Sequence, residues 1–222
     1  MKKYAVIVAA GSGLRMGATL PKQFLLVRNR PVIWFTINTF LQAFDELEII
    51  LVLPQDYMEM GKTIVEMSID PQRIQVVAGG ETRFQSVKNG LSLVNQPSIV
   101  FVHDGVRCLV SKALIHYCYE VALEKGNAIP AIKPIDSLRM EQGGNNEIID
   151  RNSVRLIQTP QTFQSDILLK AFGQPYQDFF TDEASVVENA GVKINLVEGE
   201  ELNIKITRPI DMIIAEKFLA NE

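Results

Sequence analysis

Three glycines, an arginine and a lysine crowd one short stretch near the start of this 222-residue chain. It runs from Ala9 to Gln23 as A-A-G-S-G-L-R-M-G-A-T-L-P-K-Q, with Gly11, Gly13 and Gly17 around Arg15 and with Lys22 beyond them. Glycines let backbone N–H groups turn toward a bound oxyanion with no Cβ in the way. Arginine offers phosphate oxygens a planar fork, and lysine a compact point charge. At the C-terminal end of a strand this combination suits a nucleoside triphosphate; the plainer reading is a βα turn carrying surface charge. Two familiar phosphate loops do not fit. A P-loop needs G-K-[ST] running into a helix, whereas Gly17 is followed by Ala18-Thr19-Leu20-Pro21. A dinucleotide loop needs a helix directly after its glycines, and here the next helix starts no earlier than Pro31.

A second set of candidates lies further on. A short apolar run over 99–102 delivers His103 and Asp104 to a strand end. Asp104 either caps the next turn or holds Mg²⁺, which takes one or two carboxylates together with phosphate oxygens. His103 points to the opposite face of a regular strand and reads as packing, not as a base. Arg107 follows in a loop and Arg83 opens a helix after Gly79-Gly80; each is either solvated or part of an anion site. Arg151 lies at the foot of a protruding segment, and Lys205, between Asn203 and Thr207, is either an edge residue or a ligand contact.

The elements that must position these groups read as alternating strands and helices. Strands are expected over 4–8, 48–53, 74–78 and 99–102, and helices over 31–44, 57–67, 82–90 and 111–125, with Met58, Met60 and Met67 packing and Gly126 ending the last. That rhythm predicts an α/β fold, a doubly wound and mostly parallel sheet with one crevice at the strands' carboxyl ends. It breaks over 134–155, where extended segments at 135–140 and 147–154 flank Gly143-Gly144-Asn145-Asn146, the signal of a β-hairpin arm. A lone hairpin is marginal in water, so the arm is expected to pack on a partner chain. Helices capped by Ser165 and by Thr181 or Asp182 follow, then strands over 193–197 and 203–207 and a helix over 209–220. One domain spanning 1–222 with an arm is the expectation.

Composition narrows the function. Apolar residues make up 47% of the chain, and 22 basic against 26 acidic residues leave a net charge of −4. That balance argues against broad nucleic-acid or membrane-surface binding, so an anionic ligand must be held by local cations. No apolar run approaches a membrane span, and the Met-Lys-Lys-Tyr start leads into a strand and not a signal peptide. Cys108 and Cys118 lack metal-like spacing and read as reduced core thiols, from which a cytoplasmic location is expected.

The ordered set A-A-G-S-G-L-R-M-G with P-K-Q-F-L, G-G-E-T-R-F-Q-S-V-K-N-G-L, V-H-D-G-V-R, D-R-N with Q-T-P-Q-T-F, T-D-E-A-S-V-V-E and N-I-K-I-T-R-P-I-D resembles the 2-C-methyl-D-erythritol 4-phosphate cytidylyltransferases of the non-mevalonate isoprenoid pathway. The resemblance runs almost end to end and implies a Rossmann-like nucleotidyltransferase, a homodimer whose subunits exchange the 134–155 arm. It implies that Arg15 and Lys22 stabilise triphosphate charge, and that Ala10, Gly11, Gly13, Gly79, Ser86 and Gly105 line a CTP pocket. Asp104 would bind Mg²⁺ or another divalent cation and contact substrate. Arg107, Ser137, Arg151, Thr159 and Lys205 would address the methylerythritol phosphate, Ser137 and Arg151 from a partner's arm, with Arg151 and Lys205 also catalytic. The chain departs from the family's H-D-A-A-R-P at Gly105, Val106 and Cys108 while keeping Asp104 and Arg107, and from its D-T-[IM]-K at Ser137-Leu138-Arg139. The implied reaction is attack by a phosphate oxygen on the α-phosphorus of CTP, expelling pyrophosphate. A phosphate monoester is largely dianionic at neutral pH, so no general base is needed. The competing readings are a ribitol-5-phosphate cytidylyltransferase and a nucleotide sensor without turnover.

Overall fold

The structure is a computed structural model that describes residues 1–11 and 20–219. Gly13, Arg15 and Gly17, and the end of the last helix at Ala220, lie outside the described residues.

β1 (Lys2–Val8) is followed by a 3₁₀ turn, Lys22–Phe24, and a two-residue ladder of β2 (Leu26–Val27) with β3 (Arg30–Pro31). The regular alternation then runs α1 (Val32–Ala43), β4 (Leu47–Leu53), α2 (Met58–Glu66), β5 (Ile74–Ala78), α3 (Arg83–Leu91), β6 (Ser98–Asp104), α4 (Lys112–Lys125) and β7 (Asn127–Ile132). After it come the hairpin β8 (Leu138–Gln142) and β9 (Asn145–Ile149), then β10 (Leu156–Ile157), β11 (Gln161–Gln164), α5 (Ser165–Ala171), α6 (Glu183–Asn189), β12 (Leu196–Glu198) and α7 (Pro209–Phe218).

The main sheet has the order β10-β7-β11-β6-β1-β4-β5, with β12 also paired to β7. The ladders β6-β1, β1-β4 and β4-β5 are parallel, and β11 runs antiparallel between β6 and β7. Successive side chains of a strand face opposite sides, and both sides here are apolar. Ala5 and Ile7 of β1, with Ile49, Leu51 and Leu53 of β4, join Ile33, Ile37 and Leu41 of α1 and Leu114 and Ile115 of α4. Tyr4 and Val6, with Ile50 and Val52, join Phe84 and Val87 of α3 and Leu168 and Val186 beyond. Helices on both faces make the sheet doubly wound, as the alternation predicts.

Several boundaries differ for local reasons. Pro31 takes an extended conformation at the N-cap of α1, so the helix begins at Val32. Gly90 does not end α3: a Cβ there would lie 2.7 Å from Val6 Cγ1, so it serves the close approach of helix to sheet. Met60 and Met67 are exposed, because α2 buries Gly61, Ile64 and Val65 and both methionines fall on its flank. Ser165 is not a cap; its Oγ accepts the Ser98 N–H at 3.0 Å, tying α5 to the start of β6. The extended reading of 147–154 ends at Ile149, where Asp150 Oδ1 accepts the Asn152 N–H at 3.0 Å and starts a 3₁₀ turn. In the hairpin only Gly143 and Gly144 form the turn, at φ +59° and +82°, while Asn145 and Asn146 belong to β9. Of 193–197 only the end pairs, in β12, and 203–207 joins no ladder at all. β7, β10 and β11 have no counterpart in the sequence reading; the Q-T-F-Q of β11 lacks an apolar alternation.

Candidate functional site

The ends of β1 and β6 and the segment after β5 converge on one cavity, of about 480 Å³. Val8, Ala9, Ala10 and Gly11, with Gly80–Arg83 and Ser86 beside them, form its wall, and Lys22, Gln23, Asp104, Val106 and Lys205 complete the lining as floor and rim. Backbone bonds set this arrangement: Ala9 N–H donates to Val52 O at 2.9 Å, Gly79 N–H to Leu53 O at 2.8 Å and Gly105 N–H to Val8 O at 2.9 Å. Each carries the chain just past its strand end, still in register with the neighbouring strand.

Gly79 must be glycine, since a Cβ would lie 2.4 Å from Ala10 Cβ and 2.9 Å from Ser86 Oγ. Ser86 Oγ accepts from Gly80 N–H at 3.1 Å and donates to Thr82 O at 2.9 Å, while Thr82 Oγ1 caps α3 by accepting from Gln85 N–H at 3.0 Å. Gly105 is packed beneath the site against Ala9, Ile33 and Ile7 and does not appear among the described lining residues. Gln23 received no role from sequence, although it stands in the P-K-Q-F-L run. It is buried, and its Nε2 donates to Ala9 O at 2.7 Å and Gly11 O at 3.1 Å, fastening the glycine wall to the turn that carries Lys22.

Asp104, 7% exposed, is the electrostatic centre. Lys205 Nζ is 2.9 Å and Arg107 Nε 3.4 Å from its Oδ2, and Arg83 Nη2 is 3.3 Å from its Oδ1. Burial acts to raise this carboxyl, but Arg83, Lys205 and Arg107 together hold it well below the usual carboxylate range. Arg83 also donates through Nη1 to the buried Glu183. Lys22, Arg83, Arg107 and Lys205 thus outnumber Glu81, Asp104 and Glu183 in and around the cavity, so an acidic chain presents a locally positive site.

The base of Asp104 is held by a buried network. Asp104 N–H donates to Thr159 Oγ1 at 3.1 Å, and that hydroxyl lies 3.0 Å from His103 Nδ1. His103 Nε2 faces Arg107 O at 3.3 Å, so it carries the proton, and Nδ1 accepts from Thr159. Burial pushes the His103 imidazole down to about 3, keeping it neutral. It is a structural link, as its place on the strand predicts. Thr159, which the resemblance assigns to substrate, sits under Asp104 with its hydroxyl already engaged, and is not among the described lining residues.

Lys205 stands on an extended strap, not on a strand. Its neighbours are secured one by one: Asn203 Nδ2 donates to Thr159 O at 2.8 Å, Arg107 Nη1 to Asn203 O at 2.7 Å, Ile206 N–H to Val106 O at 3.0 Å and Lys22 Nζ to Ile206 O at 2.6 Å. Arg107 therefore braces the strap from below, and it is absent from the described lining. Ser137 and Arg151 lie on the arm and are not among the described residues lining their own chain's cavity; Arg151 Nη1 donates to Ile135 O at 2.6 Å. Arg83, Glu183 and Gln23 are the site residues to which sequence reading assigned no definite role; the motifs contained them, but pairing across such separations leaves no spacing signal.

Among the described residues no group of three His, Cys, Asp or Glu side chains could hold a metal. Asp104 supplies one carboxylate to the cavity, a donor set that suits Mg²⁺ only where phosphate oxygens complete the shell.

A model of the family described as "2-C-methyl-D-erythritol 4-phosphate cytidylyltransferase" matches residues 4–221. The protein of that name from Bacteroides thetaiotaomicron is 45% identical over 219 residues, 99% of this chain and 100% of its own; that from Bacteroides fragilis is 43% identical over the same shares. The 4-diphosphocytidyl-2C-methyl-D-erythritol synthase of Anaerococcus prevotii superposes with a TM-score of 0.83 at 30% identity, covering 99% of this chain and 98% of that one. The 2-C-methyl-D-erythritol 4-phosphate cytidylyltransferase of Thermus thermophilus does so at 0.77 and 30%, covering 99% and 100%. These matches support neither a ribitol-phosphate enzyme nor a nucleotide sensor.

Proposed function

We propose, on the premise that this chain belongs to the 2-C-methyl-D-erythritol 4-phosphate cytidylyltransferase family, that the strand-end cavity is where it joins CTP to 2-C-methyl-D-erythritol 4-phosphate. The products are 4-diphosphocytidyl-2-C-methyl-D-erythritol and pyrophosphate. The observation that carries this reading is the pairing of Arg83, Arg107 and Lys205 with the buried Asp104 in a cavity that Lys22 also lines.

The substrate's phosphate oxygen is already charged at neutral pH, so the chemical difficulty is bringing anions together. His103, neutral and bonded at both nitrogens, is not available as a base. Positioning and charge stabilisation remain. A cation about 4 Å from a developing charge is worth roughly 4 kcal/mol at an effective dielectric of 20. Two or three such groups therefore account for several decades of rate. Ala10, Gly11 and Gly80 with Ser86 border the space for the nucleoside, with Gly79 letting Ala10 and Ser86 approach. Lys22 and Arg15 take the triphosphate. Lys205, paired to Asp104 but partly exposed, exchanges that carboxylate for phosphate oxygens.

Asp104 is the residue that would hold Mg²⁺, arriving with the triphosphate because three cations surround the carboxylate. Bound there, the metal would neutralise phosphate charge. Arm exchange completes the site: each exposed arm reaches a second copy and supplies Arg151 and Ser137 to its cavity, and the rest of the chain forms one domain. No helix among the described residues is long and apolar enough to cross a membrane, which accords with a cytoplasmic enzyme.

The test is pyrophosphate release from CTP offered with each of two polyol phosphates. Release is expected with methylerythritol phosphate and not with ribitol 5-phosphate. Turnover of ribitol 5-phosphate alone would overturn the reading, and CTP binding without release from either would point to a sensor.

A further inference from the structure

Glu183, the first residue of α6, is 1% exposed. One carboxylate oxygen accepts from Arg83 Nη1, and the other, Oε2, is buried with no hydrogen-bond partner in the structure. A buried ion pair is weak support for a fold, and an unpartnered buried oxygen costs stability. An apolar side chain would serve the packing of α6 better. The charge therefore calls for an account beyond folding.

Its surroundings aim it. Gln161, at the start of β11, donates through Nε2 to Asp182 Oδ2 at 2.8 Å and accepts at Oε1 from Ala184 N–H at 2.8 Å. One amide side chain thus grips the residues on both sides of Glu183. Asp182 Oδ1 accepts from Ser185 N–H at 2.9 Å and caps the helix. Gln161 pairs in register with Val102, two residues before Asp104 on β6. The first turn of α6 is therefore indexed to the strand that carries the centre of the cavity. Arg83 closes the link, with Nη1 on Glu183 and Nη2 on Asp104 Oδ1. Two carboxylates on different elements fix the plane of one guanidinium. With Glu183 removed, both Nη groups are free to turn onto Asp104.

We propose that Glu183, gripped by Gln161, is a positioning residue that locks Arg83 in one orientation on the cavity wall and keeps it from closing over Asp104. The inference rests on the triphosphate reading of the cavity, and its first test does not depend on turnover. Hindered rotation should give Arg83 distinct Nη resonances in nitrogen-edited NMR, assigned by their loss in Arg83→Lys. In Glu183→Gln they should merge. Distinct signals surviving in Glu183→Gln would show that Asp104 alone holds Arg83 and would overturn the proposal.

The second test is a double-mutant cycle on steady-state kinetics. Glu183→Gln should raise KM for CTP about tenfold, with kcat changed by less than about threefold. In the Arg83→Lys background the same substitution should add less than about twofold, since its target is gone. Losses that multiply in the double variant would assign Glu183 a separate structural role and overturn the proposal. Should Glu183→Gln melt too early to assay, Gln161→Met keeps the carboxylate and removes its grip; the Arg83 signals should merge there too, and unchanged signals would count against the proposal. A wild-type protein that binds no CTP would sink the reading of the cavity, while the resonance test would still decide the role of Glu183.

Discussion

The cavity floor and the β8–β9 arm each present an arginine that resemblance assigns to one substrate, Arg107 and Arg151, but under opposite conditions. Arg107 is paired to Asp104 and to the distant Asn203 O, and Arg83 on the wall beside it to Asp104 and Glu183. On the arm, Arg151 reaches Ile135 O, and among the described residues β8 and β9 pair with each other alone. Ile135 and Ile148 are 76% and 77% exposed there. The floor is ordered by its own chain before any ligand arrives. Among the described residues the arm pairs only with itself, and the proposed exchange is what would give it a site to act in.

If the floor works by preorganised charge, the largest effect should follow removal of Lys22. Lys22→Ala should lower turnover by about a thousandfold, while thermal stability falls by only about 1 kcal/mol through the lost bond to Ile206 O. A loss under about tenfold in steady-state assays would detach the floor from the reacting phosphates. Asp104→Asn comes next. It should weaken Mg·CTP binding by about a hundredfold, roughly 2.7 kcal/mol, and calorimetry showing unchanged affinity would remove Asp104 from metal and nucleotide binding.

The order of the floor should also be visible as pH dependence. His103 is held down to about 3 by burial, against an ordinary value of 6.5. The unfolded chain then binds a proton that the folded chain refuses. Its contribution is fully present above the unfolded value and is lost as pH falls through the interval toward 3, by about 1.4 kcal/mol per pH unit at most. Urea unfolding at pH 7, 6, 5 and 4 should give a shallower loss for His103→Gln than for the wild type. Equal slopes would mean that the imidazole takes up its proton in the folded state.

The smallest signal sharpens the comparison most. Arg15→Ala and Arg151→Ala chains, denatured and refolded together, should recover about a quarter of wild-type activity if arms are exchanged across a two-fold axis. Half the dimers are then mixed, each with one intact and one doubly defective site. No recovery from a mixture shown to contain heterodimers would place floor and arm in the same chain's site.

Sequence by itself determined the alternation of strands and helices, the doubly wound sheet and the strand-end cavity. It did so because continuous apolar runs such as 49–53 and caps such as Ser111 with Gly126 are local signals. It singled out Lys22 and Asp104 for the same reason, a loop of unusual composition and a carboxylate at a strand end. Only tertiary structure decided which charges meet. Arg83 finds Glu183 across a hundred positions, and Lys205 reaches Asp104 from a strap that forms no ladder. β11 escaped notice because its burial is satisfied by hydrogen bonds of Gln161 and not by apolar alternation. Pairings of that kind depend on distance in space, and a buried polar side chain looks in sequence like any exposed one.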